Sequence, residues 1–468
     1  MTSFLLVVFD GLRPDMVRPQ TTPNLLRFAA LGTRFAHARS VFPSETRVCS
    51  ASVATGCLPR RHGLVANRIA HPLDPTRTVD TGDMQALRAL EQDTGEAVLA
   101  APMLAELLAA GGRDCAVLSS GTTGQTFVLN PRADALGQVT LSAHGAQACS
   151  AAGRALLEGL PPPPPAPAAR AAWIADAFRT RLLADPPAAT ILWLCEPDTT
   201  GHYGGLGSPA QLAALQTADA AFGRILDAWQ AGPHRDRLHI AVASDHGHAT
   251  VSGHADVGAA LAGLPAFADC TLLAGSSGGI FVPGGGAERN AALAEWLTRQ
   301  DWCGAIYAAD GAELPPGVLP RSVLLADHRR AAHVLYTLRT NAGPSAMGLP
   351  GITLFDGALA PGAGTHGGLL SAELHTVLML AGSRIRAGAV SEWPAGLTDI
   401  APTALALLGL GGGGAMDGRV LAEAFVDGAE PADSPAPESW EAAGPGYRQR
   451  LARTRLGPHV YLDEGQRD

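Results

Sequence analysis

The sequence predicts an α/β fold: a mostly parallel sheet sandwiched by helices, with a smaller α+β cap inserted in the second half of the chain. Three observations predict it. Short apolar runs such as "FLLVVFD" (4–10), "ATILWLCEPD" (189–198) and "RLHIAVASD" (237–245) read as strands buried on both faces. Helical patterns lie between them, and strand–helix alternation places helices on both sides of a parallel sheet. A length of 468 residues with 47% hydrophobic content suffices for one large domain plus an insertion.

The elements follow in order. "MTSFLLVVFDGLRPD" has no basic leader, and its apolar run stops at Asp10, too short for a signal sequence or a membrane span. It reads as the first strand. "TTPNLLRFAALG" (21–32) reads as a helix with Thr22 as N-cap, Pro23 in the first turn and Gly32 as C-cap. Helices are predicted over 101–111, 171–184 and 209–230, and "RDCAVLSS" (113–120) is a further strand. "PPPPPAP" (161–167) is a stiff surface spacer. From 251 to 362 the texture turns to Gly/Pro-rich turns and short strands, which reads as the cap. The main pattern resumes at "ELHTVLMLAG" (373–382) and the helix "TDIAPTALALLGL" (398–410). The expected divisions are therefore 1–250, core; 251–362, cap; 363–425, core; and 426–468, a Pro- and acid-rich tail expected to be loosely ordered.

Composition narrows the function. A net charge of −9 argues against a nucleic-acid scaffold. All 34 cationic side chains are arginine, so any cationic contact to a phosphate uses a guanidinium fork. Seven cysteines, odd in number and without CxxC spacing, favour reduced thiols and a cytoplasmic location over a disulfide framework, and with the short first apolar run no membrane partner is expected. Composition is silent on oligomeric state.

Chemistry-bearing residues gather at predicted strand ends, where ligands collect in such sheets. Asp10 ends the first strand. "CEPDTTGHYGG" puts Asp198 and His202 four apart, facing one ion if the turn enters a helix. "SDHGH" offers Asp245 and His246, and "GAGTHGGL" sets His366 in a Gly-rich loop. Carboxylate and imidazole together suit zinc or a similar divalent ion. "VFPSETRVCSASVATG" (41–56) supplies nucleophile candidates. Thr46 falls at or near a helix start, where the dipole favours an alkoxide and a bound phosphate. Ser44 or Thr46 as a simple N-cap is the plainer alternative.

These segments, in this order to about residue 422, resemble the alkaline phosphatase superfamily, most closely its nucleotide pyrophosphatase/phosphodiesterase (type I phosphodiesterase) branch. The resemblance implies two divalent ions, most readily Zn2+. It places Asp198, His202 and His366 on the first ion, and Asp10, Asp245, His246 and the Thr46 oxygen on the second. It implies Thr46 as nucleophile, a phosphothreonine intermediate, and Asn67 of "HGLVAN" holding a phosphoryl oxygen. His248 lies where relatives often carry an apolar residue and is left as a loop or supporting histidine. The three carboxylates and a Thr46 alkoxide balance two dications, so a monoanionic diester meets a neutral centre.

The chain also departs from the branch. Glu45 and Arg47 stand where relatives often carry a basic and an aromatic residue. Arg47 pairs with an additional substrate charge or faces solvent. The expected activity is metal-dependent cleavage of phosphodiester or pyrophosphate bonds in a small nucleotide-type phosphoester. A phosphomonoesterase or phosphonate hydrolase on the same scaffold is the alternative, and a non-catalytic zinc-stabilised binding protein a further one. The absence of lysine disfavours phosphonoacetate hydrolysis. Val53, where a sulfatase motif starting at Cys49 needs arginine, disfavours a sulfatase.

Overall fold

The computed structural model describes residues 1–284, 286–310 and 313–468. Its centre is an eight-stranded sheet. The order is Ala389–Gly396, Gly32–Arg39, Leu378–Ala381, Leu238–Ala243, Ser3–Phe9, Ala189–Leu194, Cys115–Ser119, Val139–Ser142. Neighbours are parallel except the two pairs made by Leu378–Ala381, so seven strands point one way and one is reversed. The sheet predicted from continuous apolar strands is there, with helices on both faces. In Ser3–Phe9 the alternation of a strand sends Phe4, Leu6 and Val8 to one core, shared with Trp193 and the helix Ile400–Leu407. Leu5, Val7 and Phe9 go to the other, against the helices Pro167–Arg181 and Pro209–Ala231. Each such side chain contributes about 1.5–3 kcal/mol by leaving water.

Two local expectations change. The early helix runs Pro23–Ala30 with Thr22 before it, but the Thr22 side chain makes no cap. The Asp219 carboxylate, from the long helix, accepts the N–H groups of Asn24 and Leu25 instead. Leu31, not Gly32, is the C-cap, and Gly32 opens a strand that the sequence reading missed. A Cβ at Gly32 would lie 1.9 Å from the Leu380 carbonyl oxygen, so close strand pairing, not helix capping, requires this glycine.

Between residues 251 and 362 lies a five-stranded sheet in the order Thr271–Leu273, Ser277–Phe281, Val334–Leu338, Cys303–Ala308, Leu319–Pro320, packed against the helix Ala287–Thr298. A four-stranded sheet ties it to the core, because Ala249–His254 pairs with both Pro350–Phe355 and Gly364–Thr365.

The tail expected to be loosely ordered is a three-stranded antiparallel sheet: Ala436–Gly444, Tyr447–Leu456, His459–Arg467. Leu451 and Leu462 pack on Tyr307, Leu319 and Leu369. Gln449 bonds both the N–H and the C=O of Ile306, and Tyr447 Oη donates to the Gly304 carbonyl. A few anchors set into the neighbouring sheet order a segment whose composition is polar. Among the described residues, no helix is long and apolar enough to cross a membrane.

Candidate active site

The site lies beyond the carboxyl ends of the central strands. Asp10 follows Ser3–Phe9; Asp245, His246 and His248 follow Leu238–Ala243. Asp198 opens the helix Asp198–Gly204, so His202 stacks one turn on, with Nε2 3.2 Å from Asp198 Oδ1. His366 comes from the loop after Gly364–Thr365, with Nε2 3.5 Å from the same oxygen. Thr46 is the first residue of the helix Thr46–Thr55, and its Oγ1 is 3.3 Å from His246 Nε2. All the metal-ligand residues named from the sequence therefore meet in one buried cluster.

Hydrogen bonding fixes which atoms face inward. Nδ1 of His202, His246, His248 and His366 bonds the carbonyl oxygens of Gly364, Gly247, Gly11 and Ser44, at 2.7–2.9 Å. A carbonyl only accepts, so each Nδ1 carries the proton and each Nε2 presents a lone pair. The carboxylates behave likewise. Asp10 Oδ2 accepts from Trp193 Nε1 at 2.8 Å, and Asp245 Oδ1 from the Gly11 N–H at 3.0 Å. Asp10 Oδ1, Asp198 Oδ1, Asp245 Oδ2 and His248 Nε2 are buried with no hydrogen-bond partner among the described residues. Lone pairs aimed at one another without donors fit cations between them.

The donors fall into three overlapping groups: Asp198–His202–His248, Asp198–His246–His366 and Asp10–Asp245–His246. His366 stacks on His246 with ring centroids 3.6 Å apart, while His248 Nε2 lies 3.0 Å from Asp198 Oδ1. His248, fully buried, thus shares in the cluster instead of sitting in an outer loop. Gly11 makes its room: φ is +68°, and a Cβ there would lie 2.3 Å from His248 Cε1.

Electrostatics shows the strain of this donor set on its own. Burial, with repulsion from Asp245 and Asp198, lifts Asp10 well above the usual carboxylate range. Burial pushes Asp245 up to about 8 and His246 down to about 3, and it drives His366 well below its ordinary value. Asp198 goes the other way: burial opposes its charge, but His202 first, then His248 and His366, hold it well below the usual value. His202 is raised, because Asp198 overcomes the burial that works against its charge. A dication reverses the balance for the raised carboxylates and suits the neutral imidazoles.

Beside Thr46, two bonds fasten Asn67. The Asn67 N–H donates to the Glu45 carboxylate, and the Arg47 N–H donates to Asn67 Oδ1 at 3.2 Å. The Asn67 amide nitrogen has no partner among the described residues and is left as the donor. A cavity of about 470 Å³ opens over the cluster, lined by Thr46, Arg47, Asn67, Asp198, His202 and His366 together with Ser120, Thr122, His144 and Arg170. A second cavity of about 410 Å³ shares Glu45, Arg47 and Asn67 and runs toward Phe281 and Leu335 of the five-stranded sheet.

Sequence reasoning missed three supporting side chains. Trp193 orients Asp10 through its indole N–H; on sequence it is one apolar residue of a buried strand. Glu45 holds Asn67 and carried no signal beyond its departure from the resembling branch. Glu373, buried, accepts the N–H groups of Gly368 and Leu370 and so pins the loop bearing His366. Its signal was a glutamate at the third position of a short helix, Ser371–Leu374, just after "THGGL".

Residues 4–269 match the type I phosphodiesterase / nucleotide pyrophosphatase family. Human bis(5'-adenosyl)-triphosphatase ENPP4 is 33% identical over 79 residues, 17% of this chain and 17% of that protein. The mouse protein of that name is 38% identical over 63 residues, 14% of each. The aligned stretches thus span less than a fifth of these relatives. Murine ectonucleotide pyrophosphatase/phosphodiesterase 5 superposes with a TM-score of 0.60 at 19% identity, covering 88% of this chain and 96% of that one. An inactive threonine-to-alanine form of that murine protein, in complex with AMP, superposes equally well.

Proposed function

The chain belongs to the type I phosphodiesterase / nucleotide pyrophosphatase family, and on that premise we propose that it hydrolyses phosphodiester or pyrophosphate bonds of nucleotide-type substrates through a phosphothreonine intermediate at a site holding two zinc-class ions. The observation that carries this is the convergence beside Thr46 of imidazole Nε2 atoms and of buried carboxylate oxygens that have no hydrogen-bond partner among the described residues. Asp198, His202 and His366 would hold one ion, with His248 beside Asp198; Asp10, Asp245, His246 and Thr46 Oγ1 would hold the other. When bound, such ions lower the pKa of the Thr46 hydroxyl and neutralise charge building on the leaving oxygen.

The protein's own groups do the rest. Thr46 Oγ1, fixed at a helix start, forms a bond to phosphorus as the bond to the leaving oxygen breaks. The free N–H of the Asn67 amide holds a non-bridging oxygen, worth roughly 2–4 kcal/mol in the transition state. Water then cleaves the bond between Thr46 and the phosphoryl group and restores the hydroxyl. Asn67 is neutral, which suits a monoanionic diester better than a dianionic monoester.

We also propose that 251–362 acts as a cap on a core made of 1–250 and 363–425. Seven unpaired cysteines support a cytoplasmic location. The test is a panel of p-nitrophenyl substrates: monoester, diester, nucleotide ester and sulfate. Activity on the diester and the nucleotide ester, lost with a chelator and restored by zinc, is expected. Preference for the monoester, or activity indifferent to chelation, contradicts the proposal.

A further inference from the structure

Two guanidinium groups beside the cluster have no work in the reaction above. Arg47 follows the nucleophile, and Arg170 stands in the first turn of the helix Pro167–Arg181; both line the 470 Å³ cavity. Neither side chain makes a hydrogen bond or an ion pair among the described residues, and Nε of each is buried without a partner. None of the cavity's acids pairs with either arginine among the described residues: Asp10 and Asp198 face the cluster, and Glu45 accepts from the Asn67 N–H. The acid whose field reaches Arg170, Glu196, accepts from the N–H and the hydroxyl of Thr200. The Cβ that Gly82 lacks would lie 3.6 Å from both Arg47 Nη2 and Thr122 Oγ1 and 3.1 Å from Asp80 Oδ1, an oxygen that already accepts from the Gly82 N–H and makes no ion pair with Arg47. Arg170 lines the same cavity as Ser120, Gly121 and Thr122.

Both arginines are part-exposed, but a buried Nε donor without an acceptor has a cost, and a planar fork open to the cavity matches the oxygens of phosphate or carboxylate. Asn67 and the cluster account for the phosphoryl group being transferred. We propose that Arg47 and Arg170 form a separate oxyanion subsite, which takes a second anionic group, phosphate or carboxylate, carried by the substrate next to the scissile phosphorus. This rests on the hydrolase reading and narrows it: the preferred substrate is a phosphoester with a further negative charge on its non-leaving arm.

Three p-nitrophenyl phosphodiesters test it, identical except that the second arm ends in a phosphate, a carboxylate or a neutral amide. The full-length enzyme should favour the charged arms in kcat/KM by about tenfold or more, chiefly through KM. The better of the two identifies the oxyanion. Arg47→Gln and Arg170→Gln should each remove most of that preference; with no side-chain partners to lose, both variants should fold. A preference unchanged in both variants overturns the subsite, as does an equal loss on all three esters. If the enzyme hydrolyses none of them, the hydrolase reading fails, and titration of inorganic pyrophosphate by calorimetry decides the subsite by itself. Binding weakened about tenfold by Arg170→Gln supports it, and unchanged binding overturns it.

Discussion

The carboxyl edge of the eight-stranded sheet and the C-terminal three-stranded sheet are held by opposite means. Along Ser3–Phe9 and Leu238–Ala243 every residue is buried, so those strands need no charge for stability. Yet just past their ends stand Asp10, Asp245, His246 and His248, all buried. In Ala436–Gly444 no residue is fully buried; exposed and half-buried positions alternate, and Glu438 pairs with both Arg453 and Arg455. Charge at the first site is expensive and is kept for chemistry. Charge in the second sheet is solvated and contributes little, about 0–1 kcal/mol per pair. Fold and function can therefore be broken separately.

The largest expected effect is on the first region. Thr46→Ala should cut diester turnover by several powers of ten while metal content, measured by atomic emission, and thermal unfolding stay near wild type. Unchanged turnover would make water the direct nucleophile. In the second region, Leu451→Ala should cost about 2–5 kcal/mol in urea unfolding, since the side chain is fully buried against Tyr307 and Leu369, with turnover per folded molecule unchanged. A loss of turnover at full stability would break the separation.

Glu373 joins the two modes. Burial pushes its carboxyl up to about 7, while the N–H groups of Gly368 and Leu370 pull it down. A raised folded pKa means that stability is full below the ordinary carboxylate value and is lost as pH rises from about 4.5 to about 7. Glu373→Gln should lack that slope, a difference of about 3 kcal/mol between acid and neutral pH in urea unfolding. Parallel slopes would assign the loss elsewhere. Asn67→Ala should lower kcat/KM on the diester by roughly 2–4 kcal/mol with stability nearly unchanged. The smallest effect belongs to the solvated sheet: Arg455→Ala should change unfolding by less than about 1 kcal/mol. A larger loss there would mean that its charges hold the fold after all.

The same contrast governs what the sequence discloses. Strands buried on both faces read as continuous apolar runs, so Ser3–Phe9, Ala189–Leu194 and Leu238–Ala243 were legible, and with them the positions of Asp10, Asp198 and Asp245. Leu378–Ala381 was legible as a strand but not in its reversed direction, which depends on the long connection before it. Gly32–Arg39 was missed because it carries Arg34, His37 and Arg39 near a sheet edge and follows its helix without a break. The C-terminal sheet was illegible because proline, glutamate and arginine are counted alike whether solvated on a strand or on a free coil. Within the site, the ligand types and Thr46 stood out. Trp193 did not, because it acts through Asp10, 183 positions away; Glu373 did not, because its role depends on burial and on the path of the loop it closes; Arg170 did not, because folding alone brings it to the cavity.

The most direct test of the central claim is to mix enzyme with a nucleotide p-nitrophenyl ester, quench in acid within one turnover, and locate any modification by peptide mass spectrometry. The account predicts one phosphoryl-bearing group on the peptide containing Thr46, formed no more slowly than turnover and absent from Thr46→Ala. Turnover of the ester with no covalent adduct at any quench time, or with an adduct on a different residue, would contradict it.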